Sequence, residues 1–430
     1  MKENYLLNTT GAAELYHAHA KELPIIDYHN HLSVEDIAND RRYTDLASLW
    51  LTPDPYKHRL MRICGIDERF ITGDAEPFEK FEKYCSVFPY LAGNPVYDWS
   101  RMELSGIFGI EVVPSAANAR YIYDKANEML ASSEFSNNAI LSRFNIVYQA
   151  PVATITDSLS SFDGKRLAPS LRGDNLLSPT PELIAELQRL SGVTVTNDAT
   201  YLASISVLLD QFDAAGCRLA DHALDDGFFA NDTDGRATDI LVRLGNEYAK
   251  RGWTLLLHLG AKRKTSARLA RLAGPAGGYA AVGSSFDVSS VCSLLGEMES
   301  RGKLPDTVLF PLNMSDQAAL SVMQGSFSED GVAAKVQLGP AWWWCDHALG
   351  IRNALSCTAS FGVLSQFIGM TTDSRSILSF VRHDYFRRLL CSYLDEMNTA
   401  QELGMSLALM GEYAERICFK NALEKIERRK

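Results

Sequence analysis

A chain of 430 residues that is 46% hydrophobic and 22% charged has ordinary globular composition, which excludes a disordered chain, a collagen-like repeat and a coiled-coil rod. Its net charge of −11 argues against general nucleic-acid or anionic-membrane binding, so an anionic ligand must be met by local arginines. In chain order, short apolar runs that end in polar residues predict strands at 25–31, 152–157, 167–172, 217–222, 253–258, 307–313, 336–344 and 367–375. Apolar residues at three- and four-residue spacing predict helices between them at 181–191, 198–214, 238–251 and 316–324. Eight strands alternating with helices predict an α/β fold, a (β/α)8 TIM-type barrel whose site gathers at the C-terminal strand ends. An open doubly wound sheet is the weaker reading, because no glycine-rich phosphate turn follows the first strand.

About 120 residues separate the first two strands, far more than a simple connection needs. Helical segments at 44–51, 55–63, 78–88 and 116–132, broken by Gly-Asn-Pro at 93–95 and by Gly106 and Gly109, predict an insertion. The expected organisation is a barrel from 1–33 and 141–430, with a mainly helical subdomain, 34–140, over its mouth. The eight cysteines are scattered with no CxxC pair, so reduced thiols are expected rather than a zinc ribbon or a dithiol centre. No secretory leader and no long apolar run is visible, and a cytoplasmic location is expected.

The sharpest local signal is Asp27-Tyr28-His29-Asn30-His31. Histidines at i and i+2 on a strand share a face and can share one metal ion. His17 and His19 have the same spacing, but they lie in a helical stretch where such side chains diverge by roughly 200°. A histidine pair needs a further ligand, and Asp373, at the end of the last expected strand, is the candidate, although it could equally cap a helix. His222 and His258 end two other strands and are expected to line the pocket. Arg172 and Arg375 suit an anionic substrate, because a guanidinium holds a carboxylate through two parallel hydrogen bonds. In Trp342-Trp343-Trp344, strand alternation would send Trp342 and Trp344 to one side, giving a sugar-sized pocket an indole wall. The arginines of 382–388 lie on a helix whose Val381, Tyr385, Leu389 and Tyr393 face inward, and they read as structural.

At this point the chain resembles the uronate isomerases, the glucuronate isomerase family of the amidohydrolase superfamily. The matching strings run nearly end to end and include IIDYHNHL, YKHRLMRICGI, ITGDAEPFEKF, LAPSLRGD, LHLGAKR, AWWW and IGMTTDSRSILSFVRHDYFRRLLC. The resemblance implies interconversion of an aldose uronate and its ketose uronate, typically D-glucuronate with D-fructuronate and D-galacturonate with D-tagaturonate, without a redox cofactor. It also implies a divalent metal, usually zinc, at residues matching His29, His31 and Asp373, with Arg375 and Arg172 as substrate contacts. Tyr56 matches a tyrosine of the inserted segment. Two departures stand out: Pro55 where the family commonly has a histidine, and Leu423 where Asn-Ala is commonly followed by Arg.

Isomerisation without redox change needs a base for the proton α to a carbonyl and stabilisation of the resulting enediolate. Asp373, Tyr56 and His258 are the candidate bases, and Arg375 is placed to stabilise negative charge. A metal-dependent hydrolase or lactonase acting on a sugar acid, or a sugar-acid binder without turnover, are the alternatives. The expected partner is a small hexuronate, with no nucleic acid and no membrane, and a homo-oligomer is left open.

Overall fold

The computed structural model describes residues 2–427. Seven strands form one parallel sheet in chain order: β1 (Ile25–Asn30), β2 (Ile146–Thr154), β3 (Ser170–Arg172), β4 (Leu219–Leu224), β5 (Thr254–Leu259), β6 (Asp306–Pro311) and β7 (Val336–Leu338). The sheet curls as a TIM-type barrel, and the gap between β7 and β1 is filled by segment 367–374. There the Asp373 amide donates to the His29 carbonyl at 3.1 Å, and the His31 amide to the Ser374 carbonyl at 2.9 Å.

That segment was expected to be the eighth strand, and it is irregular instead. Gly369 at φ +82° and Asp373 at φ +47° interrupt any extended run. Side chains replace a regular ladder: buried Asp27 accepts from Thr371 Oγ1 at 2.9 Å and from the Thr372 amide and hydroxyl at 2.6 and 2.8 Å. His383 adds a fourth cross-link to the same carboxylate at 3.2 Å.

The expected barrel helices appear at Pro181–Ser191, Asp198–Ala214, Arg236–Arg251 and Gln317–Val322. The first shows why: Thr180 caps it by accepting from the Leu183 amide, Pro181 sets its first turn, and Gly192 ends it at φ +72°.

Between β1 and β2 lie the helices Val34–Ala38, Leu46–Trp50, Pro55–Ile63, Pro77–Val87, Pro95–Phe108, Ala119–Leu130 and Asn137–Ser142. The punctuation at 93–109 has the opposite sense from the expected breaks. Asn94 caps and Pro95 starts a helix that runs through Gly106, and Gly109 ends it in the left-handed region. The apolar cluster of these helices, with Trp50, Phe81 and Leu104, continues into Leu389, Leu390 and Leu394 of helix Val381–Ala400. A second cluster lies between the barrel and its outer helices, and a third, with Leu219, Leu256, Val308 and Phe310, sits among the strands. All eight cysteines are free thiols. Among the described residues no helix is long and apolar enough to cross a membrane.

Candidate active site and metal centre

A cavity of about 680 Å³ opens at the C-terminal strand ends, a size in the usual range for small-molecule sites. His29 and His31 reach it from the end of β1, where the register with β2 is irregular after Asp27. Their Nε2 atoms stand 3.3 and 3.1 Å from one oxygen, Oδ1 of Asp373. Asp373 Oδ2 is buried and lacks a hydrogen-bond partner. Two imidazoles and a carboxylate converging in this way form a group able to hold a metal ion.

The electrostatics agree with a cation there. Burial alone would lower the His29 imidazole, but Asp221 and Asp373 outweigh it and raise it above the ordinary histidine value. Burial dominates at His31 and pulls it down to about 4. Burial works against the Asp373 carboxylate, yet the two histidines hold it well below its usual range, so it is charged at neutral pH.

His258 also lines the cavity, donating from Nδ1 to Asp221 Oδ1 at 2.5 Å and packing 4.7 Å from the His29 ring. His29, Asp221 and His258 are themselves close enough to share an ion. Asp221 is a residue that sequence reading passed over in favour of its neighbour. Asp221 pairs in register with Arg172 across β3 and β4 and faces the cavity, so alternation turns His222 outward. His222 does not line the cavity, contrary to expectation: its Nε2 pairs with Tyr248 Oη at 2.9 Å and its ring packs against Gly173.

Both expected arginines line the cavity, and so does a third, Arg263. Arg172 is held by Asp174, with Nε to Oδ2 at 3.0 Å. Arg375 donates no hydrogen bond to any described residue and is solvent-exposed through the cavity. Burial by its neighbours lowers its pKa; Asp373 opposes the shift, and Arg172 and Arg263 add to it. Crowded like charges with free donors favour an anionic ligand.

Trp342 lines the wall as expected, with its indole N–H on the Phe310 carbonyl at 3.0 Å. Strand alternation does not govern its neighbours, however. The strand stops at Leu338, Trp343–Cys345 is a 3-10 turn with Trp343 at φ +47°, and all three indoles line the cavity.

Tyr56 differs most from expectation. Pro55 lines the cavity and Tyr56 does not. Its ring packs edge-on against Trp344 at 5.0 Å, and its hydroxyl donates to Asp346 Oδ2 at 2.8 Å. Burial, then Asp346, pushes the phenol well above its ordinary pKa. The control pair behaves as helix geometry requires: His17 bonds Asn4 and His19 bonds Glu415.

Comparison with known proteins adds the family. The family model for glucuronate isomerase matches residues 1–242 and 230–425. The uronate isomerase of Caldanaerobacter subterraneus subsp. tengcongensis is 36% identical, covering 99% of this chain and 98% of that protein. The one from Marinomonas sp. is also 36% identical, covering 98% of each. The crystal structure of the Thermotoga maritima uronate isomerase superposes with a TM-score of 0.89 at 25% identity, covering 99% of both chains. The Caulobacter crescentus glucuronate isomerase gives the same TM-score at 21% identity, covering 100% of this chain and 98% of that one, a likeness of fold.

Proposed function

From the premise that this chain belongs to the glucuronate isomerase family, we propose that the cavity converts an aldohexuronate to its ketose at a zinc ion held by His29, His31 and Asp373. The reaction itself, aldose–ketose isomerisation of a uronate, is that of the family. D-glucuronate with D-fructuronate and D-galacturonate with D-tagaturonate are the pairs assigned. The observation that carries this reading is Arg375, with its donors unspent two residues from Asp373 and Arg172 on the same wall. A guanidinium pair fits the carboxylate that distinguishes a uronate from a neutral sugar.

The donor set fits zinc: two imidazole nitrogens and one carboxylate oxygen suit a borderline-soft ion, and all three residues line the cavity. When bound, the ion would supply Lewis acidity to a substrate oxygen. The other roles belong to the chain. Asp373, with Oδ1 turned to the histidines, keeps Oδ2 free to take the proton α to the aldehyde and return it to the neighbouring carbon. Arg375 stabilises the enediolate and Arg172 holds the carboxylate. His258, oriented by Asp221, and Trp342 shape the wall against the sugar. Tyr56 stands behind the wall that Pro55 and Trp344 line; while donating to Asp346 it keeps a lone pair to accept a hydrogen bond from a substrate hydroxyl, the role assigned to it here.

The insertion, 34–140, is assigned as a subdomain over the mouth, a reading supported by Pro55 on the cavity wall. Free thiols throughout fit a cytoplasmic setting, and the acidic chain offers no general nucleic-acid surface. A hexuronate panel with metal-stripped and zinc-reloaded protein tests the proposal by following ketose formation. A hydrolase would leave glucuronate untouched, and a binder would saturate without product.

A further inference from the structure

Behind the cavity wall lies a buried polar cluster in which only Tyr56 has been given a role in the chemistry above. Arg382, 2% exposed, places its guanidinium 3.9 Å over the Trp99 ring and 4.9 Å over the Tyr56 ring. Its Nη1 reaches Asp346 Oδ2 at 3.3 Å, the oxygen that accepts the Tyr56 hydroxyl, and the Thr372 carbonyl at 3.4 Å. Thr372 immediately precedes Asp373. One guanidinium therefore joins the insertion (Tyr56, Trp99), the turn after β7 (Asp346) and the segment that carries the proposed base.

Stability does not explain this arrangement. A buried ion pair is often matched by apolar residues of the same volume, and this pair is incompletely satisfied. Asp346 Oδ1 and Arg382 Nε are both buried without a hydrogen-bond partner. What the cluster does supply is a fixed spacing, and catalytic groups lose rate steeply when displaced by about 1 Å.

We propose that Asp346 and Arg382 are positioning residues for the isomerisation. Asp346 fixes the Tyr56 hydroxyl, and Arg382 fixes Asp346 relative to the backbone at Thr372 and Asp373, so that the phenol of the insertion and the carboxylate of the barrel keep one register. The inference rests on the reading of Tyr56 as a group that acts on the substrate hydroxyl.

The test is steady-state kinetics of the zinc-loaded full-length protein carrying Tyr56→Phe, Asp346→Leu, both together, or Asp346→Asn, with zinc content and Tm measured alongside. Asp346→Leu should lower kcat at least about 10-fold with KM and zinc content nearly unchanged, the signature of lost transition-state geometry. Asp346→Asn keeps an acceptor for the phenol and should recover most of that loss. In the Tyr56→Phe background, Asp346→Leu should cost less than about 2-fold, because a residue acting only through Tyr56 has nothing left to position. Equal losses in both backgrounds, or a lowered Tm with unchanged kcat per zinc site, overturn the proposal. A Tyr56→Phe enzyme with unaltered kcat refutes the reading of Tyr56 itself, and the positioning role falls with it. A slow Tyr56→Phe beside wild-type Asp346→Leu overturns the positioning role alone. If Asp346→Leu does not fold, Arg382→Lys, which keeps the charge but loses the fork, carries the same cycle.

Discussion

The strap 261–282, whose ends pair antiparallel, closes one side of the cavity and rests on the inserted helix. Arg59 Nη1 donates to the Ala280 carbonyl at 3.2 Å, Trp344 Nε1 to the same carbonyl at 3.0 Å, and Arg62 to the Gly277 carbonyl. Gly278 lies at the tightest point. Its φ is +78°, and an added Cβ would sit 2.2 Å from the Pro55 carbonyl oxygen, well inside the 3.0 Å that such contacts essentially never breach. Both atoms belong to backbone, so no rotamer relieves the overlap and strap or helix must move. Gly65 is the control, with φ +79° and nothing within 4 Å. Left-handed strain costs about 1–2 kcal/mol for alanine at either position. Only Gly278→Ala also endangers three strap hydrogen bonds, at about 1 kcal/mol each. The strap can open without the barrel unfolding, so the extra cost, up to about 3 kcal/mol, should surface in the cavity more than in global stability. The expected result is a similar Tm for the two variants, with KM raised about 10-fold in Gly278→Ala alone, equivalent to about 1.4 kcal/mol of lost binding. Thermal denaturation and uronate kinetics on both variants decide it. If the two alanines behave alike with wild-type KM, the strap does not shape the substrate site.

Removing both imidazoles, in His29→Ala with His31→Ala, should abolish bound zinc by elemental analysis, whereas His17→Ala should retain it; unchanged zinc in the double variant would place the metal elsewhere. Arg172→Lys and Arg375→Lys keep charge but lose the planar fork, so each should lower kcat/KM by about 10-fold or more at unchanged Tm; wild-type kinetics in both would remove them from the site. His58, buried in the insertion, is pushed by burial down to about 4, so it is neutral in the folded protein and titrates higher when unfolded. Its contribution is complete above pH 6.5 and is lost as pH falls toward 4, about 3 kcal/mol in all. Urea denaturation at pH 7 and pH 5 should therefore show a smaller acid loss for His58→Leu than for the parent, and equal losses would contradict the assignment.

Much of this fold was legible because its signals are local. Thr180-Pro181 through Gly192 carries a cap, a first-turn proline and a terminal glycine, so its helix could be bounded to the residue. The same chemistry at 93–109 was misread as interruption, since Asn-Pro and Gly mark the ends of a helix as readily as its absence. The eighth strand failed for a different reason. Its ladder is replaced by bonds to the side chain of Asp27, 344 positions from Thr371, so no periodicity within 367–375 reports it. At the site, the motif supplied His29, His31 and Asp373, but the strand-end rule alone chose His222 over Asp221. Applying the two-residue alternation from Arg172 across to β4 would have chosen the other. Tyr56 was named as a candidate base, but its place behind the wall was out of reach, because its partner Asp346 lies 290 positions away.

Charge is layered in a way that reconciles an acidic protein with an anionic ligand. Asp221 and Asp373 lie with the histidines, where the proposed divalent ion would offset them, while Arg172, Arg263 and Arg375 share the same cavity. Two of the three arginines are held by carboxylates, Arg172 by Asp174 and more loosely, at 3.9 Å, by Asp221, and Arg263 by Asp225. Arg375 alone lacks such a tether, and it is the one whose pKa is lowered, by burial first and then by its crowding with Arg172 and Arg263. An arriving carboxylate relieves that crowding without breaking an existing ion pair. The net charge of −11 opposes the approach only weakly, because at physiological salt the screening length is about 8 Å and the arginines are what the ligand meets last. Raising ionic strength should then change the rate of uronate capture less than Arg375→Lys changes kcat/KM, since the interaction that matters is a contact inside the cavity rather than a field around the molecule.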